Sequence, residues 1–181
     1  MKEHPIIFNT EMVKAILDGR KTVTRRPVKS GFPIDEDGCL ITNDITESMW
    51  RKVNKYLPMH FGVSYFCPFG QIGDRLYVRE TWAFDHAPLE HDWLVYRADG
   101  HELETTKNWS PSIHMPKKYA RIWLEITDIR VERVQEITFN ELGKEGFKGE
   151  LSQAMIDFES YFNNFSLNPW VWVIEFKRVG K

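Results

Sequence analysis

Residues 19–26 hold four positive side chains and two threonine hydroxyls, and no acid lies among them. The positive side chains are those of Arg20, Lys21, Arg25 and Arg26. Such a cluster attracts an anion, most simply a phosphate, through long-range attraction and charge-assisted hydrogen bonds. The alternative is a solvated basic turn, because exposed charges usually contribute little.

A second candidate is Glu80, which lies in an apolar pattern. Alternating apolar residues predict a strand over residues 75–84, in which Glu80 shares one face with Leu76 and Val78, and Arg79 lies on the other. An unpaired buried carboxylate is costly. We therefore expect Glu80 to have a cationic or hydrogen-bonding partner or to line a cleft, unless the strand has already reached solvent there.

A second basic stretch covers residues 112–121 and includes His114, Lys117 and Arg121. Its prolines predict a loop. Single-stranded nucleic acid is bound by cations that contact the backbone and by aromatic faces that stack on bases. These cations, together with aromatic residues such as Trp82, are therefore candidates for RNA binding. For His114 the alternative is a purely structural role.

Metal and thiol chemistry are not predicted. His86, Glu90 and His91 are possible metal ligands by type, but their spacing fits no common motif. The two cysteines, Cys39 and Cys67, lack a C-x-x-C spacing, so we expect neither a disulfide framework nor a thiolate zinc site. We expect no metal, no cofactor and a reducing, cytoplasmic environment.

The composition suits one domain with a substantial core. The chain has 181 residues, a formal net charge of −2 and a hydrophobic fraction of 42%. Because the overall charge is close to zero, any polyanion site must be local. We expect neither a secretory signal nor a membrane-spanning segment, because the sequence has no apolar run of the required length. The oligomeric state is not predicted.

The elements around the first candidate site follow from local patterns. Apolar residues at helical spacing predict a helix over residues 12–17, which Gly19 ends. The chain then leaves in extended form over residues 21–26. In a regular strand Lys21 and Thr24 would face opposite sides, so they can act together only if the backbone turns between them.

The remaining patterns predict a sheet with helices at its connections. A break in alternation near Asp128 predicts a bulge in a strand over residues 122–131. Thr138 begins a capping box, and residues 151–165 have helical spacing. The continuous apolar run at residues 170–176 predicts a central strand. About six strands with two to four helices indicate a small mixed barrel of the α+β class.

At this point the sequence resembles a known family. Gly19, Lys21, Thr24 and Arg26 match the G-x-K-x-x-T-x-R signature of ASCH domains, which have a PUA-like fold. Three further segments are similar to longer, prophage-type members, namely residues 73–74, 78–82 and 172–176. The resemblance covers most of the chain as one domain, residues 1–181, with expansions at about 28–70 and 85–118.

The resemblance implies a small PUA-like β-barrel with a cleft for RNA or a modified nucleoside. Some compact relatives are amidohydrolases that deacetylate N4-acetylcytidine, and their catalytic set corresponds here to Lys21, Thr24 and Glu145. Thr24 would be the nucleophile, and Lys21 its base if neighbouring cations and burial lowered its pKa. Arg26 would hold an oxyanion or phosphate.

Several functional hypotheses follow from these residues. The first is hydrolysis of an acylated nucleoside, and the second is binding of RNA or a nucleotide without chemistry. A metal-independent nuclease and a purely structural protein are further alternatives. A glutamate close to Lys21 would keep the lysine charged, and this would favour binding over catalysis. The candidate substrate-binding residues are Arg26, Arg79, Glu80, Trp82, His114, Lys117 and Arg121.

Overall fold

The computed structural model describes residues 1–29, 63–85, 93–103, 108–162 and 164–180. The possible metal ligands His86, Glu90 and His91, and most of the predicted expansion at 28–70, lie outside these ranges. The described residues form a mixed sheet with three α-helices. This arrangement agrees with the predicted α+β class.

Seven strands are described. They are β1 (Glu3–Ile7), β2 (Val23–Pro27), β3 (Arg75–Arg79), β4 (Trp82–Asp85), β5 (Trp93–Tyr96), β6 (Trp123–Arg133) and β7 (Trp170–Val179). Five of them form one sheet in the order β1-β3-β6-β7-β2, and β4 pairs with β5 in a separate hairpin. Among the strand pairs of the described residues, only β1–β3 is parallel.

The helices are α1 (Thr10–Leu17), α2 (Phe139–Lys144) and α3 (Leu151–Tyr161). The side chain of Asn9 caps α1 by accepting a hydrogen bond from the Met12 N–H at 2.8 Å. After α1 the backbone turns through Gly19, whose φ of +74° lies in the left-handed region. The predicted capping box of α2 is present at Thr138 and Glu141. Among the described residues, no helix is long and apolar enough to cross a membrane.

Strand β7 lies between β6 and β2 and separates two apolar clusters. Val171 and Val173 pack with residues of α2 and α3, whereas Trp172 and Ile174 belong to the cluster that includes α1. Both faces of β7 are therefore covered, which explains its continuous apolar sequence. The predicted bulge is also present, as a register shift between Ile126 and Asp128.

The predicted strand over residues 75–84 is wrong in one respect, because it is two strands. β3 ends at Arg79, and β4 begins at Trp82 and pairs with β5 instead of continuing in the main sheet. Glu80 lies at this junction with only 1% of its surface exposed. The apolar alternation of the sequence continues to residue 84, whereas burial shifts by one residue after Glu80, so that Ala83 and Asp85 are buried. Sequence periodicity alone does not reveal this shift.

The predicted barrel needs a similar correction. Within the described residues the five-stranded sheet is open, because its outer strands, β1 and β2, do not pair with each other. They do approach at one end, where the Arg26 guanidinium donates a hydrogen bond to the Ile7 carbonyl at 2.6 Å. A side chain, rather than a ladder of backbone hydrogen bonds, therefore bridges the seam between β1 and β2.

Candidate functional site

Lys21 lies two residues before β2 and has 2% of its surface exposed. Its ammonium donates hydrogen bonds to the Val23 carbonyl at 2.7 Å, the Glu145 carbonyl at 2.8 Å and Glu145 Oε2 at 2.7 Å. The three hydrogens of an ammonium match these three acceptors, whereas a neutral amine has only two hydrogens. The geometry therefore fits the charged form of Lys21.

Two effects oppose each other at this ammonium. Burial lowers the pKa of Lys21 below 10.5, the adjacent Glu145 carboxylate opposes this shift, and the charges of Arg26 and Arg25 add to the lowering. The net shift is downward, as a catalytic base would require. The three hydrogen bonds nevertheless make Lys21 a clamp between β2 and the end of α2 in the structure as it stands.

The segment that carries Glu145 is bound to the start of β2 by three successive contacts. The Thr22 N–H donates to the Lys144 carbonyl at 2.8 Å, and Lys21 binds the Glu145 carbonyl. Arg20 Nη1 then donates to the carbonyl of Gly146 at 2.8 Å. We call residues 20–22 together with 144–146 the strap. It satisfies backbone groups at an otherwise open sheet edge.

Thr24, the predicted nucleophile, is 1% exposed and lies opposite Ile174 in the β2–β7 ladder. The alternation along β2 places Thr24 on the face opposite to that of Arg25. None of the three acceptors of the Lys21 ammonium is the Thr24 hydroxyl. The structure therefore brings Lys21 and Glu145 into contact but does not hydrogen-bond Thr24 to Lys21.

Arg25 is a site residue that the sequence interpretation did not assign to the candidate set. Its buried guanidinium contacts Glu145 Oε1 at 3.2 Å, Glu132 Oε2 at 3.1 Å and Glu141 Oε2 at 3.1 Å. Glu145 is thus shared, with Oε2 on Lys21 and Oε1 on Arg25. The sequence shows that Arg25 is basic. Its three acidic partners are more than one hundred residues away in the chain, so no local pattern indicated them.

The network continues outward through Arg130. This side chain contacts Glu132, Glu141 at 2.7 Å and Glu175 at 2.5 Å. Burial on its own would raise the pKa of Glu141, but the Thr138 N–H and the charges of Arg25 and Arg130 lower it overall. The carboxylate of Glu141 is therefore ionised beside Arg25 at neutral pH.

Glu80 has a cationic partner, which is one of the environments that the sequence left open for it. Arg121 binds both of its oxygens, with Nε to Oε1 at 2.9 Å and Nη2 to Oε2 at 3.0 Å. The same guanidinium also binds Asp99 and lies 3.9 Å from the centre of the Tyr96 ring. Burial raises the pKa of Glu80, and Arg121 opposes this shift. Glu80 and Arg121 are therefore engaged with each other.

Arg26 and Arg79 meet at a cavity beside the seam, which we call the seam cavity. Its volume is about 550 Å³. In the described part of the chain, both guanidiniums bind backbone carbonyls and neither pairs with a carboxylate. Arg26 binds that of Ile7, and Arg79 binds those of Ile113 and Met115. The other lining residues are Pro5, Ile6, Phe8, Asn9, Thr10, Phe69, Thr81, Ser112 and Tyr161.

The other predicted binding residues lie elsewhere. Trp82 packs on Tyr119 with ring centres 5.2 Å apart, and Lys117 pairs with Glu3. His114 is exposed in the short 3-10 turn Ser112–His114, whose first residue lines the seam cavity. Arg26 and Arg79 are thus the two predicted binding residues that share one cavity.

A second cavity, of about 420 Å³, adjoins the first and is called the helix cavity here. Asn9 and Tyr161 line both cavities. The helix cavity is bounded by α1, α3 and the strap, with lining residues Glu11, Met12, Lys14, Asp18, Arg20, Glu145, Gly146, Phe147, Lys148 and Asp157. Within the described ranges, no group of three or more His, Cys, Asp or Glu residues could hold a metal ion.

Comparisons with known proteins give distant similarities. No protein-family model and no curated protein matches the sequence. Crystal structures of ASCH from Zymomonas mobilis and of its serine-to-alanine mutant are each 14% identical to this chain. Each alignment covers 97% of this chain. It covers 67% of the ASCH chain with a TM-score of 0.38, and 68% of the mutant chain with a TM-score of 0.39. A tyrosine-to-phenylalanine mutant of the same protein is 13% identical to this chain. The alignment covers 99% of this chain and 76% of the mutant chain, with a TM-score of 0.40. Similarity at this level does not transfer the fold or function of those proteins to this chain.

Proposed function

We propose that this chain binds a phosphate-bearing ligand of the nucleotide type, either a modified nucleotide or single-stranded RNA, in the seam cavity. One observation carries this proposal. Arg26 of β2 and Arg79 of β3 come from separate strands, line one cavity and, within the described residues, have no carboxylate partner. Two such guanidiniums leave donors available for an anion.

The surroundings of the two arginines favour phosphate. A guanidinium presents paired N–H donors that match phosphate oxygens, and such charge-assisted bonds are strong. The N-terminus of α1, at Asn9 and Thr10, also borders the cavity. The partial positive charge of a helix N-terminus adds to the attraction.

The aromatic lining supports a ligand that also carries a base. Tyr161 is 40% exposed, and Phe69 also lines the seam cavity. Aromatic faces stack on bases of any sequence. The resemblance to ASCH domains, which rests on Gly19, Lys21 and Arg26 among others, supports the same class of ligand. We also propose that the chain is related to prophage-type ASCH domains and has a PUA-like architecture.

The test is a titration of a fluorescent single-stranded RNA octamer and of nucleoside monophosphates against the intact chain. We expect Arg26→Gln and Arg79→Gln each to weaken binding about tenfold or more, because a charge-assisted hydrogen bond contributes about 1.5–3 kcal/mol. For the octamer, the slope of the logarithm of the binding constant against the logarithm of the salt concentration should decrease in magnitude by about one for each lost phosphate contact.

Arg178→Gln is the matched control, because Arg178 is exposed on β7 and lines neither cavity. Circular dichroism of each variant verifies the fold. If both cavity variants fold and bind as tightly as the wild type, the seam cavity is not the binding site.

Hydrolysis of an acylated nucleoside is the second candidate, and a separate observation favours it. Lys21 and Glu145, two members of the implied catalytic set, are in contact at 2.7 Å, and Glu145 lines the helix cavity. For Thr24 to attack an acyl carbon, its proton must pass to a base. Lys21 could accept it only after losing its own proton and releasing one of its three acceptors.

A turnover assay with N4-acetylcytidine tests this second candidate. We expect Thr24→Val to abolish product formation if Thr24 is the nucleophile, with Glu145→Gln and Lys21→Met measured alongside. Because the hydroxyl and a methyl group differ little in size, Thr24→Val should preserve packing better than Lys21→Met. Unchanged turnover in Thr24→Val would rule out the threonine mechanism.

A further inference from the structure

We infer that the helix cavity receives the base of a ligand whose phosphate binds Arg26 and Arg79, so that the ligand is a single mononucleotide rather than an RNA strand. This inference rests on the proposed function and narrows it to one ligand class. It depends on three features of the described residues, namely the junction of the two cavities, their different charges and the exposed ring between them.

The two cavities are adjacent compartments. Asn9 and Tyr161 line both of them. Their volumes, about 550 and 420 Å³, each lie in the range of small-molecule sites. A compact ligand with two parts can therefore occupy both compartments at once.

The two compartments differ in net charge, because acids offset the cations of the helix cavity. Arg26 and Arg79 are the charged residues among those that line the seam cavity in the described chain. The charged residues around the helix cavity comprise three cations and four acids, namely Lys14, Arg20 and Lys148 with Glu11, Asp18, Glu145 and Asp157. The seam cavity therefore attracts a phosphate, whereas the helix cavity has no excess of positive charge.

Each of the three cations of the helix cavity lies near an acid, and Lys148 Nζ is 3.9 Å from Asp18. Lys14 pairs with Glu11 at 2.9 Å, and Arg20 pairs with Asp18 at 3.0 Å. The carboxylate of Asp157 accepts a hydrogen bond from Gln153 and, among the described residues, meets no cation. A second phosphate in this compartment would meet the carboxylate of Asp157, which has no cationic partner among the described residues.

An RNA strand carries a phosphate at every nucleotide, so continuing into the helix cavity would bring the next phosphate towards Asp157. A neutral base avoids this repulsion. Its polar edge can use the mixed donors and acceptors of the compartment, and its face can stack on Tyr161, whose hydroxyl contacts Met12 Sδ at 3.3 Å. The distribution of charge thus selects a base, not a second phosphate, for the helix cavity.

The experiment compares ligands of increasing length on the intact chain. The probes are the four nucleoside 5′-monophosphates and the matching di-, tetra- and octanucleotides, measured by calorimetry. We expect at least one monophosphate to bind as tightly as, or more tightly than, its octamer. Asp157→Asn should strengthen octamer binding about threefold or more, and by a larger factor than it changes monophosphate binding. Glu159→Gln, an exposed acid on the same helix that lines neither cavity, should change neither.

A second variant tests the placement of the base. Tyr161→Ala should weaken monophosphate binding about fivefold or more, because stacking on an aromatic ring contributes about 1–3 kcal/mol per base. The same variant should weaken the binding of inorganic phosphate much less, since phosphate would contact Arg26 and Arg79 rather than the ring. Equal losses for both probes would contradict the assignment of the base to the helix cavity.

The outcomes separate this inference from the proposed function. Affinity that rises about tenfold or more from monophosphate to octamer, while still depending on Arg26 and Arg79, overturns the mononucleotide inference and leaves the proposed function in place. Binding that does not depend on either arginine overturns both.

Discussion

At the residue scale, the partners of a side chain decide what it can do. Lysine is a residue type that can act as a catalytic base, and burial lowers the pKa of Lys21, as that role requires. Glu145 and two carbonyls nevertheless occupy all three of its hydrogens. Arg25 holds the other oxygen of Glu145. The same residues thus form a structural connection whether or not chemistry occurs there.

We expect Lys21→Met to lower the free energy of unfolding by about 3–5 kcal/mol, because it removes one partner of a buried ion pair. Urea denaturation measures the change. Lys14→Met is the matched control, since its pair with Glu11 is exposed and should contribute under about 1 kcal/mol. Equal losses in the two variants would show that the Lys21–Glu145 contact stabilises the fold no more than the exposed Lys14–Glu11 pair.

Glu141 should make stability depend on pH. Its folded pKa lies below the ordinary 4.5 because hydrogen bonding from Thr138 and nearby cations outweigh burial. Its contribution is therefore complete above about pH 4.5 and is lost as the pH falls through the lower folded value. We expect Glu141→Gln to be less stable than the wild type at pH 7, by about 1 kcal/mol or more, and the difference to shrink below pH 4.5.

Stability measured across this pH range tests that expectation. Glu159→Gln should show a difference from the wild type that is small at every pH, because Glu159 is exposed. A Glu141→Gln difference that grows on acidification would contradict the predicted sign.

At the element scale, the strap joins the end of α2 to the edge of β2 at close range. Gly146 has a φ of +96°, and a Cβ there would lie 2.8 Å from Ala15 Cβ and 3.2 Å from Lys21 Cβ. Both the backbone conformation and the space therefore require glycine. The close approach of the two segments allows Lys21 to reach the Glu145 carbonyl.

We expect Gly146→Ala to destabilise the fold by about 2 kcal/mol or more, since conformational strain and a clash with the Cβ atoms of Ala15 and Lys21 add together. Gly149→Ala is a matched control, because Gly149 also has a positive φ, +106°, but has no atom within 4 Å of the added Cβ. Thermal denaturation of both variants isolates the clash. A loss in Gly146→Ala no larger than in Gly149→Ala would show that the strap can separate at little cost.

At the scale of the whole molecule, single side chains connect parts that backbone pairing leaves apart. Arg26 spans the seam between β1 and β2, and Arg121 joins Glu80, at the end of β3, to Asp99 beside the β4–β5 hairpin. The seam stays open enough for a cavity because no backbone ladder closes it in the described sheet. A site at this seam can therefore use residues from several strands.

We expect Arg121→Met to expose the hairpin to proteolysis and to cost about 3–5 kcal/mol, because Glu80 would remain buried without its cation. Limited proteolysis with identification of the cut sites measures the first effect, and denaturation measures the second. Arg97→Met is the control, since Arg97 is exposed in the same region. Cleavage at equal rates in both variants would mean that Arg121 does not hold the hairpin.

Features that depend on near neighbours were accessible from the sequence. The end of α1 at Gly19, the capping box at Thr138 and the bulge before Asp128 follow from local backbone preferences and side-chain alternation, and the structure confirms them. A cation beside Glu80 was one of the alternatives that the cost of an unpaired charge on an apolar face suggested, and the structure shows it to be Arg121.

The tertiary structure decided the contacts between distant segments. Lys21 and Glu145 are 124 residues apart, so their distance and the resulting charged clamp depend on how α2 packs on β2. The partners of Arg25, the break after Arg79 and the open seam at Arg26 likewise depend on the packing of whole elements. Side-chain periodicity specifies which face of a strand a residue occupies, but it carries no information about which distant element covers that face.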